Sequence, residues 1–385
     1  FDVSGNDDID YTASRSYFVS KYMLGLNENG SSMATVTGKP LGNVGNSKLQ
    51  WETTRRLTTG FEGNFVGNRL HVAFNYFKSW TDNLLTLRQM AWTSGLQENW
   101  QNGGKLENNG FDVAVSYKFI NSKDWHWQAG ASMGHYKNKV TALDGKDFFD
   151  TKVYGATVRT SVGNPVGLFY GYTTDGVFAT TAEAQASGLY QVDEADNKVF
   201  FQAGDMKFVD RNGDKIIDDG DPTPDIYGNI TSSLNWKKWT LDVAFNYSLG
   251  NDIFNYQRSI LESGKYFYNQ TTIMNSRWTT EGQVTSIPRI SCQDPHGNAR
   301  FSDRWIEDGS YLRLSNVTLS YVLPINNTFI QGITVWGSAQ NLFTLTRYLG
   351  DDPDCSAGNS VLSLGIDRGV LAAGRSFAMG VKINL

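Results

Sequence analysis

The last eleven residues, Arg375 to Leu385, constrain the fold more than any other stretch. Phe377, Met379, Val381, Ile383 and Leu385 are apolar at every second position, and the residues between them are small or polar. Side chains alternate across a β-strand, so such a segment has one greasy face and one that is not. A long, flat edge strand of this kind in water invites pairing with other chains and is normally blunted. A strand whose apolar face meets lipid, and whose edges are closed in a barrel, escapes that problem. The strand therefore favours an all-β transmembrane antiparallel barrel over a soluble sheet.

The rest of the composition agrees. Aromatic residues make up 13% of the 385 residues, with 11 Trp, 18 Tyr and 22 Phe, as suits a barrel with aromatic girdles at both interfaces. Mean hydropathy is −0.39. No run approaches the roughly 18 apolar residues of a spanning helix, which excludes a helical membrane protein but leaves a barrel open. The net charge of −5 argues against a nucleic-acid partner. The four histidines, His71, His126, His135 and His296, have no metal-ligand spacing. Cys292 and Cys355 leave both a disulfide and two free thiols open. No signal peptide is visible, so the sequence is expected to be a C-terminal portion of a longer protein.

Eleven strands are expected, at 52–65, 69–80, 108–120, 125–140, 153–163, 166–175, 225–236, 239–250, 310–323, 332–345 and 374–385. Phe1 to Gly5 reads as the tip of a further strand. Most of the eleven have the length of a tilted membrane strand. Short connections (66–68, 121–124, 164–165, 237–238, 324–331) alternate with long ones (81–107, 141–152, 176–224, 251–309, 346–373). Tight turns on one side and long loops on the other are the sidedness of an outer-membrane barrel, which puts the C-terminus on the periplasmic side.

Several segments look like landmarks of one family. They are Leu49-Gln50-Trp51-Glu52 opening a strand, Asn108-Asn109-Gly110 opening another, and the Val162-Gly163-Asn164-Pro165-Val166-Gly167 turn before Tyr170-Gly171-Tyr172. Gly204 to Asp214, Tyr311 to Tyr321 and Gln340 to Thr346 match more strongly. In this order and spacing, over nearly the whole chain, they resemble the SusC/RagA-like TonB-linked outer-membrane transporters. The resemblance implies a 22-stranded barrel of which residues 1–385 would be roughly the C-terminal half. It also implies a plug domain and N-terminal barrel portion outside this sequence, coupling to TonB through that plug, and a SusD-like surface lipoprotein as a lid. The implied cargo is an oligosaccharide or a peptide. Rival readings are a siderophore-type receptor or passive porin, and a surface adhesin or scaffold barrel.

One loop has the spacing of a metal site. In Asp210 to Asp221, oxygen-bearing side chains fall at Asp210, Asn212, Asp214, Asp218 and Asp221, and Ile216 would supply its carbonyl. That is the ligand pattern of an EF-hand-type calcium loop. Lys215 stands where glycine is expected, and Asp221 is shorter than the usual glutamate. A solvated acidic turn has the same composition, so both readings stand. Calcium, if bound, would order the loop rather than catalyse.

Trp51, Trp80, Trp125, Trp127, Trp236 and Trp239 near strand ends read as an interfacial girdle. Aromatics inside long loops are the better ligand candidates, because loops carry recognition on a rigid scaffold. These are Trp92, Trp100, Tyr266, Phe267, Tyr268, Trp278 and Trp305. No Gly-x-Ser-x-Gly elbow, local His–acid pair or phosphate-cradling glycine loop is present, so no enzyme activity is expected.

Overall fold

A computed structural model describes residues 1–6, 17–19, 22–26, 33–37, 41–43, 46–89, 98–192, 198–209, 225–324, 330 and 332–384. Ten strands form one antiparallel sheet in chain order. They are β1 (Asp2–Asn6), β2 (Glu52–Phe65), β3 (Leu70–Asp82), β4 (Gly104–Asn121), β5 (Trp125–Leu143), β6 (Ile226–Trp236), β7 (Trp239–Leu249), β8 (Tyr311–Leu323), β9 (Gly332–Thr346) and β10 (Ser376–Asn384). Each pairs with its sequence neighbours, so the sheet is a pure meander whose described outer edges are β1 and β10.

The register shows why these sequences form this sheet. Trp125, Trp236, Trp239 and Tyr321 lie in one cross-strand row. The next row is His126, Asn235, Thr240 and Ser320, then Trp127, Leu234, Leu241 and Leu319, then Gln128, Ser233, Asp242 and Thr318. Apolar and polar rows alternate in step across four strands. Because a one-residue slip would exchange the faces, the pattern fixes the register. Val335 with Val381 and Gly337 with Met379 continue the apolar rows to β10. The apolar face is the exposed one: Phe377, Met379, Val381 and Ile383 all lie open. In water such a face would be an aggregation surface; against lipid it is the stable arrangement.

Tight turns close one end of the sheet. Lys237 and Lys238 alone join β6 to β7, with Lys237 at φ 51°, the left-handed conformation that two-residue hairpins demand. Stacked Trp125 and Trp236 (5.5 Å between centroids) and paired Trp239 and Tyr321 (4.5 Å) line this end as a girdle. Trp80 stands apart from these four residues. It lies at the opposite end of β3, across from Arg55 and Glu107.

Two expected strands are not in the sheet. Segments 153–163 and 166–175 belong to one long connection, 144–225, where Phe148–Val153, Ala156–Ser161 and Leu168–Phe169 form a separate three-stranded sheet. Ala156–Ser161 is only six residues long and is buried on both faces, with Ala156, Thr157, Val158 and Thr160 all inaccessible. A membrane strand needs about 9–11 residues and one lipid face. The Asn164-Pro165 turn therefore lies among the long loops, and the strand tip at Phe1 to Gly5 becomes β1, paired with β2 from Asp2–Arg56 to Asn6–Glu52.

The long connections fold into their own core. Ala156, Val158 and Phe169 come from connection 144–225, Phe254 and Trp305 from 250–310, and Ala357 and Ile366 from 347–375; together they form one buried cluster. Asp252–Asn255 pairs with Ile306–Asp308 and, in parallel, with Ile366–Asp367. This assembly also caps the sheet's polar face. Ser79, Thr81 and Val140 at the strand ends are buried, and Val140 exchanges backbone hydrogen bonds with Asn164 and Gly163.

Candidate functional site

The loop assembly is where recognition can occur, since rigid scaffolds place their binding residues on such loops. Its rigidity is built locally. Helix α1 (Thr181–Ser187) starts at Thr180, whose hydroxyl accepts from Glu183 N at 3.1 Å, and ends at Gly188 in the left-handed conformation. The Glu183 carboxylate reaches back to Ala179 N at 2.9 Å, completing a capping arrangement. Glu183 also pairs with Lys207 at 2.8 Å. Lys207 and the Ala179 amide hold the Glu183 carboxyl below its ordinary range, and Glu183 in turn raises Lys207.

Helix α2 (Tyr256–Leu261) starts at Asn255, which accepts from Arg258 N at 3.0 Å. The Arg258 guanidinium lies between Glu262 (2.9 Å) and Glu307 (2.6 Å). Burial alone would lower Arg258, but its hydrogen bonds to the two carboxylates outweigh this and raise it. Glu307 also accepts from Leu349 N at 2.8 Å, so the same network ties connection 250–310 to 347–375. Arg304 is pushed down to about 10 by burial, donates to the Glu262 carbonyl at 3.1 Å, and lies 4.3 Å above the Trp305 ring.

Two adjoining clefts open beside α2. One, of about 360 Å³, is bounded by Tyr154, Tyr256, Ser259, Ser263 and Phe301, with Trp305 at its floor. The other, of about 370 Å³, is bounded by Phe267, Tyr268, Gln270, Ile290 and Cys292. Lys265 and Tyr266 line both. The Tyr266 and Tyr268 rings lie 5.2 Å apart, the Lys265 ammonium is 5.6 Å from the Tyr266 centroid, and Phe267 is 94% exposed. Aromatic faces beside hydroxyls and one cation suit a ligand that is apolar on one side and hydrogen-bonding on the other.

The structure separates the expected ligand residues. Tyr266, Phe267 and Tyr268 come together at this site. Trp305 is 1% exposed, and its Nε1 donates to the Arg300 carbonyl at 3.2 Å, so it is a core residue beneath the cleft. Trp278 is packed against Gly204 and donates to the Ala179 carbonyl at 3.2 Å, which places it in the α1 neighbourhood. Trp100 lies on a separate hairpin, Leu85–Gln89 with Glu98–Asn102. Trp92 and the loop of Asp210, Asn212, Asp214, Ile216, Asp218 and Asp221 lie outside the described residues. Among the described residues, no group of three or more His, Cys, Asp or Glu side chains could hold a metal ion. Both cysteines are free, and burial beside Asp367, Asp352 and Asp354 pushes the Cys355 thiol up to about 12. Sequence reasoning missed Tyr154 and Tyr256, whose rings meet each other, and Phe301, whose ring meets Phe254; both contacts arise only through the loop fold.

Comparison with known proteins adds to this geometry. No protein-family model matches the chain. TonB-dependent receptor P3 of Formosa agariphila is 31% identical over 367 residues, covering 91% of this chain and 36% of the relative. TonB-dependent receptor SusC of Bacteroides thetaiotaomicron is 26% identical over 358 residues, covering 88% of this chain and 32% of that protein. The chain is homologous to TonB-dependent receptors, SusC among them. It spans about a third of the length of the curated relatives it matches. The RagAB peptide importer in its closed-closed state has the same fold, with a TM-score of 0.76 and 23% identity over 99% of this chain and 40% of that one. The ten-stranded sheet is accordingly part of an outer-membrane β-barrel, with its exposed apolar rows toward lipid and its polar rows toward the lumen.

Proposed function

We propose that this chain is the C-terminal barrel portion of a SusC-like importer that takes up glycan or peptide oligomers across the outer membrane. The remaining strands and the plug belong to the rest of the same transporter, and TonB acts through that plug. A SusD-like lipoprotein covers the long-loop side. The observation that carries this reading is the joining of a lipid-facing meander to a roof of three long connections with one shared core. A porin needs no such roof, and a siderophore-type receptor needs no lid. The adjoining clefts at Lys265 and Tyr266 are the cargo-facing part of this roof, with Tyr266, Phe267 and Tyr268 as its stacking residues. The chain carries no catalytic role in this reading. The 210–221 loop binds calcium and stiffens the same roof.

The test is isolation of the native protein in mild detergent, with every co-isolated polypeptide identified by mass spectrometry. A surface lipoprotein in equal amount, together with oligomer uptake that collapses when the proton-motive force is removed, is the expected outcome. Uptake unaffected by collapse of that force would leave the passive porin as the better reading.

A further inference from the structure

The outward face of the sheet changes character at its long-loop end. The last outward row in which two aromatic residues face each other across strands is Tyr76 with Phe111. The next outward row is Leu57, Lys78, Asn109 and Lys137; the one after is Arg55, Trp80, Glu107 and Lys139; and beyond it Asp82 is followed by Lys105. Successive outward rows are roughly 7 Å apart, so these charges begin just past the apolar belt. The opposite face at this height is buried under the loops, at Ser79, Thr81 and Val140, so the charged rows are the ones that face outward.

Five cations stand here, Arg55, Lys78, Lys105, Lys137 and Lys139, against two carboxylates, Asp82 and Glu107. With Asp144 beside Gly103 at the upper margin the ratio is five to three. This surplus lies on a chain whose net charge is −5. The carboxylates are already engaged. Asp82 is shared by Arg55 (2.6 Å) and Lys105 (3.2 Å), and Glu107 is held by Lys78, which also lies 5.2 Å from the Trp80 ring. Among the described residues no carboxylate pairs with Lys137 or Lys139, and both are exposed. Free cations at this depth stand level with lipid headgroups, and Trp80 offers an amphipathic ring beside them.

We infer that this face is a binding site for the phosphorylated glycolipid headgroups of the outer leaflet, with Lys137 and Lys139 as the principal phosphate ligands and Lys78, Lys105 and Arg55 as its rim. The inference rests on the outer-membrane placement and is independent of cargo. Its acyl chains would lie along the outward apolar rows, among them the row of Phe61, Phe74 and Val113, continuous with the cationic patch.

The full-length protein in nanodiscs is titrated with phosphorylated lipid A, and with the same lipid dephosphorylated, and read by native mass spectrometry. The phosphorylated form should be retained selectively. Lys137→Ala with Lys139→Ala should weaken retention about fivefold per lysine, on the order of 25-fold together. Lys137→Arg with Lys139→Arg should preserve it, and Lys237→Ala with Lys238→Ala, at the opposite end of the sheet, should leave it unchanged. Equal retention of both lipids, or undiminished binding by the alanine pair, would overturn the site. Displacement of the lipid by millimolar inorganic phosphate would also overturn it, in favour of a free-anion site. Absence of the protein from the outer-membrane fraction would instead overturn the placement on which the site rests.

Discussion

Replacing Trp305 by alanine should unlock the loop assembly while leaving the sheet intact. Trp305 is fully buried in a cluster to which three separate connections each contribute. Its loss removes the largest side chain of that cluster, the Nε1 hydrogen bond to the Arg300 carbonyl (3.2 Å) and the ring beneath Arg304 (4.3 Å). Truncation of a buried tryptophan costs about 3–5 kcal/mol. At about 1.4 kcal/mol per factor of ten, local opening of the three connections should become two to nearly four decades more frequent. Hydrogen exchange of the full-length protein, followed by mass spectrometry, reads this directly. Peptides covering 156–170, 253–262 and 355–367 should lose protection together, because they share the core. Peptides from 313–322 in β8 should not change, since the sheet is held by its own ladder. Trp305→Phe keeps most of the ring volume and should retain most of the protection. If Trp305→Ala leaves exchange within threefold of the parent in all three connections and yet abolishes cargo binding, the core assignment is wrong and Trp305 faces the ligand.

Tyr268→Ala and Phe267→Ala should each weaken cargo binding, by about 2- to 13-fold where the ring stacks on ligand, with unchanged exchange in the loop core; isothermal titration with candidate oligomers checks this. The Glu183–Lys207 pair fixes a pH window. Glu183 is depressed from 4.5, so its contribution is present above that value and fades as pH falls through its lower folded value; Lys207 is raised from 10.5, so its contribution is present below that value and fades as pH rises beyond. Exchange protection of 179–188 should therefore be flat from about pH 5 to 10 and decline outside it. Burial pushes the Cys355 thiol up to about 12, so maleimide should label exposed Cys292 first and Cys355 only after unfolding. Terbium luminescence should appear on the 210–221 loop and vanish in Asp210→Ala with Asp214→Ala; luminescence unchanged by the double substitution would leave the acidic turn as the right reading.

The sheet was legible because lipid imposes a rule on single residues. Outward positions within the lipid belt are predominantly apolar, so rows such as Trp127, Leu234, Leu241 and Leu319 announce themselves strand by strand, before any pairing is known. The loop core obeys a different rule. Ala156, Phe254 and Ile366 are buried by one another across more than two hundred residues, and no local period marks such a meeting. That is why Ala156–Ser161, with β-branched residues and a glycine turn before it, resembled a membrane strand although both its faces are buried. The same difference separates the ligand candidates. Tryptophan in a loop signals either an anchor for packing or a platform for cargo, and composition cannot choose between them. The fold does choose: Trp305 and Trp278 spend their indole N–H groups on backbone carbonyls inside the loops, whereas Tyr266, Phe267 and Tyr268 stand open on a segment braced by α2. A rigid roof needs buried aromatics so that a few others can be held exposed, and the two sets differ by partner, not by residue type.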